Sequence, residues 1–188
     1  MLKPSIIGRL THFARDRRGV SAVEFAFVAP VMIGLYLGCA EISDGVAADR
    51  KVSLTAGALA NLAAQVTTIS TTDMSNILDA SSGIISPYNA ANLKMTVTCL
   101  KIDATTGAAK VAWSAARNTT ARSTGSTYSF TSSNNALDVK GSYLILSEVS
   151  YAYTPTVGYT ITGTLNLSDM MFMSPRISPP TYNNISCS

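Results

Sequence analysis

A chain of 188 residues, 47% of them apolar, with 14 Lys and Arg against 11 Asp and Glu, carries a formal charge of +3. That length holds one modest domain and an anchoring segment, which excludes a multidomain enzyme. The positive charge is concentrated in the leader, where Lys3, Arg9, Arg15, Arg17 and Arg18 oppose Asp16 alone, so no basic stripe argues for nucleic acid as a partner.

The chain opens on this basic leader, residues 1–19, which ends in Gly19. From Val20 to Ala40 the only charged side chain is Glu24. About 20 apolar residues match the roughly 30 Å of a hydrocarbon core, which predicts a transmembrane helix over 20–40. Cleavable secretory signals have a shorter apolar run, of about 7–15 residues. Pro30 and Gly34 are tolerated in a membrane helix. The basic flank keeps the N-terminus cytoplasmic and sends the remainder across. A carboxylate at the top of an apolar helix is costly in lipid and calls for a partner. A plain signal anchor with Glu24 near the interface is the alternative. The spacing of five residues from Gly19 to Glu24 resembles instead the processing site of type IV prepilins.

Beyond Ala40 the pattern continues as an amphipathic helix. Ile42, Val46, Ala56, Leu59, Ala63 and Val66 form the expected apolar stripe, with Asp44, Asp49, Arg50 and Lys51 on the other positions. The segment VTTISTT favours extended or capping conformations. Asp73 is the expected cap of a second helix whose apolar positions are Met74, Ile77, Leu78, Ile84 and Ile85, ended by Gly83 and Pro87. Residues 41–86 are thus read as the helical segment.

The period then changes to two. Leu93, Met95, Val97 and Cys99 alternate with Lys94, Thr96 and Thr98, the pattern of a half-buried strand. A turn at Asp103–Gly107 leads to KVAWS, a hairpin partner with Val111 and Trp113 facing the core. Tyr143, Ile145, Val149, Tyr151 and Tyr153 mark a third strand closed by Pro155. Its partner is expected from Tyr159 to Leu167, with Ile161, Leu165 and Leu167 on one face. Between the hairpins, Arg117–Asn135 reads as a long polar loop in which Tyr128 and Phe130 either mark a contact surface or tuck back onto the sheet. The tail SPRISPPTYNNISCS has too many prolines for a central strand and is expected to wrap the surface. The fold class is therefore α+β: a transmembrane helix continuing into an amphipathic helix, then an antiparallel, pilin-like β-rich domain over 87–188.

Of the three cysteines, Cys39 ends the membrane span as a small hydrophobe. Cys99 and Cys187 fall where disulfides persist, and pairing them would tie the C-terminus to a strand; two free thiols are the alternative. No CxxC pair or Cys/His cluster indicates a metal. The single histidine, His12, lies in the leader, so Ser–His and Cys–His catalysis has no base in the domain. No phosphate loop or HExxH helix is present, and no cofactor and no enzymatic activity are expected.

The residues DRRGVSAVEFAFVAPVMIGLYLGCAEI resemble the N-terminal signature of the TadE-like family, pseudopilins of the tight-adherence (Tad) pilus assembly system. The resemblance implies a bacterial inner-membrane protein with a periplasmic domain, cut by a prepilin peptidase after Gly19 to leave Val20 as the new N-terminus. It implies that Glu24, followed by the aromatic Phe25, attracts the free amino group of a neighbouring pilin or pseudopilin, pairing two groups that are each costly in lipid. Major Flp-type pilins are very short, so the extra domain implies a minor or assembly-initiating role, acting with the Tad machinery in pilus biogenesis and adhesion. Two other readings remain. Leu37-Gly38-Cys39 ends the run like a lipobox, though with Tyr36 where an aliphatic residue is preferred, which would make a lipoprotein. A simple anchor carrying a surface-binding adhesin would use the loop near Tyr128 and Phe130.

Overall fold

The computed structural model describes residues 18–131, 137–155, 158 and 162–188. Most of the leader with His12, and Tyr159 and Ile161 of the expected last strand, lie outside these residues.

Helix α1 runs unbroken from Arg18–Gln65, 48 residues or about 72 Å of rise. It has two environments. Up to Leu37 almost every side chain is exposed or half-exposed. From Glu41 onward one face is buried, through Ala48, Val52, Ala56, Leu59, Ala60 and Ala63. Of the expected stripe, Ile42 and Val46 turn out to be exposed and Val66 lies past the helix end. The reason is steric. The opposing strands present Tyr151, Tyr153, Leu167 and Met173, so the helix meets them with alanines and turns its bulkier residues away.

The Thr-rich segment divides between a short strand, β1 (Thr68–Ile69), and the cap of helix α2 (Thr71–Gly83). Ser70, not Asp73, is the N-cap. Its hydroxyl accepts from the Asp73 amide at 3.1 Å, and Asp73 Oδ2 accepts from the Ser70 amide at 3.0 Å. This reciprocal capping box places Asp73 three residues inside. The Ser70 hydroxyl, which also donates to Asp73 Oδ2 at 2.7 Å, and then the Ser70 amide hold the Asp73 carboxyl below the usual carboxylate range. Met74 and Leu78 bury the inner face of α2.

Five strands follow as one antiparallel sheet: β2 (Leu93–Ile102), β3 (Ala109–Arg117), β4 (Thr127–Tyr128), β5 (Tyr143–Tyr153) and β6 (Leu165–Met173), in the order β4-β3-β2-β5-β6. α1 packs across β5 and β6 and against α2. The last strand lies further along the chain than expected. Its register with β5, from Tyr153 opposite Leu165 to Ile145 opposite Met173, draws in the MMFM segment.

β2 is central and covered on both faces rather than half-buried. Met95, Val97 and Cys99 join the core beneath the helices, while Leu100 and Ile102 join a second cluster with Ala109, Val111, Leu144 and Leu146. The expectation that Val111 and Trp113 share a face is corrected by a β-bulge. Cys99 pairs with Trp113 but Leu100 pairs with Val111, so Ala112 is the extra residue and the two side chains enter opposite clusters. The long loop returns through β4, which pairs with Ala109 and Lys110. Tyr128 and Phe130 accordingly tuck back onto the second cluster beside Phe172.

The Pro-rich tail forms β7 (Thr181–Tyr182) and β8 (Ile185–Ser186), which with β1 make a small separate sheet. Cys99 and Cys187 are joined by a disulfide, both sulfurs fully buried.

Candidate functional site

The lower part of α1 is an apolar rod that none of the described residues covers. Val20 is 52% exposed and Phe25 72%, and Phe27, Val31, Leu35 and Tyr36 are exposed in the same way. Among the described residues α1 is the one helix long and apolar enough to cross a membrane. Glu24 is exposed on this rod, one turn above Val20, so the two positions lie on the same face. Gly19 sits in the first turn. A Cβ placed there would meet nothing within 4 Å, and its backbone is not in the left-handed region. Packing therefore supplies no reason for glycine, which costs a helix about 1 kcal/mol relative to alanine.

Pro30 lies inside the helix and leaves the Ala26 carbonyl without its usual intrahelical N–H partner. Just above it, Pro30, Val31, Gly34, Leu35, Gly38 and Cys39 line an open apolar groove on one side of the rod. Cys39 is a free, exposed thiol.

Where the rod meets the domain, polar contacts fix its direction. The Tyr88 hydroxyl donates to Asp44 Oδ1 at 2.7 Å, and the Tyr153 hydroxyl donates to Asp44 Oδ2 at 2.9 Å. The two rings meet edge to face, with centroids 6.0 Å apart. Burial first, then the hydrogen bond to Asp44, raises both phenols, Tyr153 to about 12. Both therefore remain donors at neutral pH. Glu41, 5% exposed, adds a further negative charge near Tyr153. Higher up, Lys51 Nζ donates to the Ile84 carbonyl at 3.2 Å, and Arg176 donates to Asn61 Oδ1 at 2.7 Å. The exposed rod is thus continuous with a helix clamped at three levels.

The outer face of the sheet carries an open cleft of about 570 Å³ with a mixed lining that includes Lys94, Arg122, Glu148, Val149, Asp169 and Met170. Arg122 closes one side. Its guanidinium donates to both Glu148 oxygens at 2.6–3.0 Å and lies 5.3 Å from the Tyr128 ring centroid. The Glu148 hydrogen bonds raise the Arg122 pKa, so it is charged at any accessible pH. Among the described residues no group of three or more His, Cys, Asp or Glu side chains could hold a metal ion.

The structure therefore gathers Gly19, Val20, Glu24 and Phe25 on one exposed helical segment, and joins Cys99 and Cys187 within the buried core of the domain. The Asp44 clasp was missed from the sequence. Tyr151 and Tyr153 carry a strand signal, but nothing local to Tyr88 announces that it reaches back to Asp44.

Comparison with known proteins identifies the same part of the chain. The TadE-like protein family matches residues 19–60, beginning at Gly19 and ending within the clamped part of α1. This N-terminal segment is TadE-like, in agreement with the resemblance of its motif. No curated protein and no solved structure matches the chain.

Proposed function

We propose that this chain is a minor pseudopilin or assembly component of a Tad pilus, of the type IVb, Flp class. On this reading it inserts in the bacterial inner membrane through residues 20–40, with its N-terminus in the cytoplasm and its domain in the periplasm. A prepilin peptidase cuts after Gly19. Glu24 then receives the amino group at Val20 of a neighbouring pilin or pseudopilin, and Phe25 packs beside it. The role is one of protein contacts in pilus biogenesis and adhesion, without catalysis or a cofactor.

The observation that carries this reading is the pairing of an uncovered apolar rod with a motif that the rod's own packing does not require. Gly19 has no steric reason to be glycine, and Glu24 has no reason to sit in an apolar face unless something meets it. The TadE-like match covers this segment. The buried disulfide supports placing the domain in an oxidising compartment, because such bonds rarely persist in the cytosol.

The test is the intact mass of the protein from membranes, with and without the prepilin peptidase. A chain beginning at Val20 only when the peptidase is present supports the assignment. A lipidated chain beginning at Cys39 replaces it with a lipoprotein, and an uncut chain in both strains leaves a plain membrane-anchored, surface-binding protein.

A further inference from the structure

Residues 174–188 form a tail that crosses three elements. The Arg176 amide donates to the Ala64 carbonyl at 3.0 Å, at the end of α1. The Thr181 and Asn183 amides donate to the carbonyls of Thr67 and Ile69 at 3.0 and 3.2 Å. The Pro180 carbonyl accepts from the Trp113 indole at 2.9 Å, and Tyr182 lies against that ring with centroids 5.5 Å apart. Beneath the tail, Trp113 and Ile69 are each only 1% exposed.

The tail itself has little to hold it there. Within residues 174–188 only Pro180 and Cys187 are buried, and Ile177 and Ile185 are largely exposed. Its two strands are two residues each. Ordering a segment costs backbone entropy at every residue, and isolated strands this short are unstable. The bond from Cys187 to Cys99 on the central strand supplies what burial does not. With β6 folded up to Met173, that bond closes a ring of about fifteen residues, which favours docking on the order of a hundredfold.

We propose that the tail is a strap closed by oxidation: it docks over Trp113 and the α1–α2 junction when Cys99 and Cys187 are joined, and is released when they are thiols. Closing it is a thiol–disulfide exchange. The two cysteine thiols form one S–S bond, the S–S bond of a disulfide-bearing oxidant breaks, and the two electrons and two protons pass to the oxidant, which leaves as a dithiol. Both cysteines are fully buried in the closed form, so the bond is shielded from exchange until the strap opens. The covering of the end of α1 is thereby completed only where an oxidant is available.

Amide exchange read by mass spectrometry on the full-length protein in detergent tests this. Cys187→Ala is expected to speed exchange of the Arg176, Thr181 and Asn183 amides about a hundredfold and to shift Trp113 emission to the red. Protection of β2 and β5 should be retained. Wild-type protein reduced in mild urea and returned to buffer with reductant is the second arm. It creates no cavity and decides where the two arms differ. Tail amides protected as in the oxidised protein would overturn the proposal. Loss of protection throughout β2 and β5 would overturn it too, because the bond would then stabilise the whole domain rather than close the tail.

Discussion

Asp44 and Tyr153 are 109 residues apart in sequence, yet the Tyr153 hydroxyl lies 2.9 Å from Asp44 Oδ2. Asp44 follows the exposed rod by only a few residues, and Tyr153 ends the strand that crosses beneath the helix. With Tyr88 donating to the other carboxylate oxygen, the contact sets the direction in which α1 leaves the domain.

Replacing either tyrosine with phenylalanine keeps the ring and removes one hydrogen bond to a charged acceptor. Asp44 is exposed, so each change should cost about 1 kcal/mol rather than the larger figure for a buried pair. The loss should be local. Hydrogen exchange should quicken around Ser43–Ala47 while β2 and β5 keep their protection. The clasp also predicts an alkaline limit. A phenol raised from 10 to about 12 on folding stabilises the protein fully below pH 10 and loses that contribution as pH climbs from 10 through 12. Unfolding titrations over pH 9–12 should show a steeper fall for wild type than for Tyr153→Phe; parallel curves would show that the hydroxyl contributes nothing.

Ser147 should behave in the opposite way. Its hydroxyl is fully buried on the face of β5 that meets the helices and has no hydrogen-bond partner among the described residues. Two other buried hydroxyls are satisfied: Thr55 donates to the Lys51 carbonyl at 2.7 Å, and Thr98 on the opposite face of the sheet bonds to Ser114 at 2.9 Å. An orphaned buried hydroxyl costs about 1–3 kcal/mol, so Ser147→Ala should be neutral or stabilising by about 1 kcal/mol. Chemical denaturation measures it, and a clear loss of stability would mean the hydroxyl has a partner.

Arg122 ties the long loop to the sheet through two parallel hydrogen bonds to Glu148 and its position over Tyr128. The pair is partly exposed, which limits its worth to about 1 kcal/mol despite the bidentate geometry. Arg122→Gln should therefore leave the melting temperature almost unchanged and raise proteolytic nicking of the 118–131 loop. An unchanged cleavage pattern would assign the loop's order to Tyr128 and Phe130 alone.

The parts of this fold that could be read from sequence are those set by neighbours along the chain. A long apolar run whose only charge is Glu24 predicts the long apolar first part of α1, and strict alternation from Leu93 to Cys99 predicts β2. The failures share a different cause. Whether Val111 and Trp113 share a face depends on Ala112 being extra relative to β2, a matter of pairing across the sheet rather than of local pattern. Ile42 and Val46 fit a helical stripe as well as Ala48 and Val52 do; only the large side chains on β5 and β6 decide which face is buried. The Pro-rich tail gains strands because β1 offers it an edge. For the candidate site, Gly19, Val20, Glu24 and Phe25 can be singled out from sequence because they sit at close spacing within one helix, and their roles belong to the proposal, whereas the Asp44 clasp joins three elements and has no local signal.

The structure sharpens the test of Gly19 and Glu24 by separating recognition from folding. A Cβ at position 19 meets nothing among the described residues within 4 Å, and the position lies far from the packed domain, so Gly19→Leu should leave the domain's unfolding curve unchanged. If a prepilin peptidase reads this glycine, the same change should abolish cleavage and leave the basic leader attached, seen as an unshifted intact mass. Glu24 is equally free of contacts that its removal would break within the described domain, so Glu24→Ala should be processed normally and fold normally. Its effect should fall on assembly alone, as a loss of pili counted by electron microscopy. A Glu24→Asp variant keeps the charge but shortens its reach, and partial recovery would tie the defect to pairing with the neighbour's amino group. Normal piliation in Glu24→Ala would remove the assembly role while leaving the membrane anchor intact.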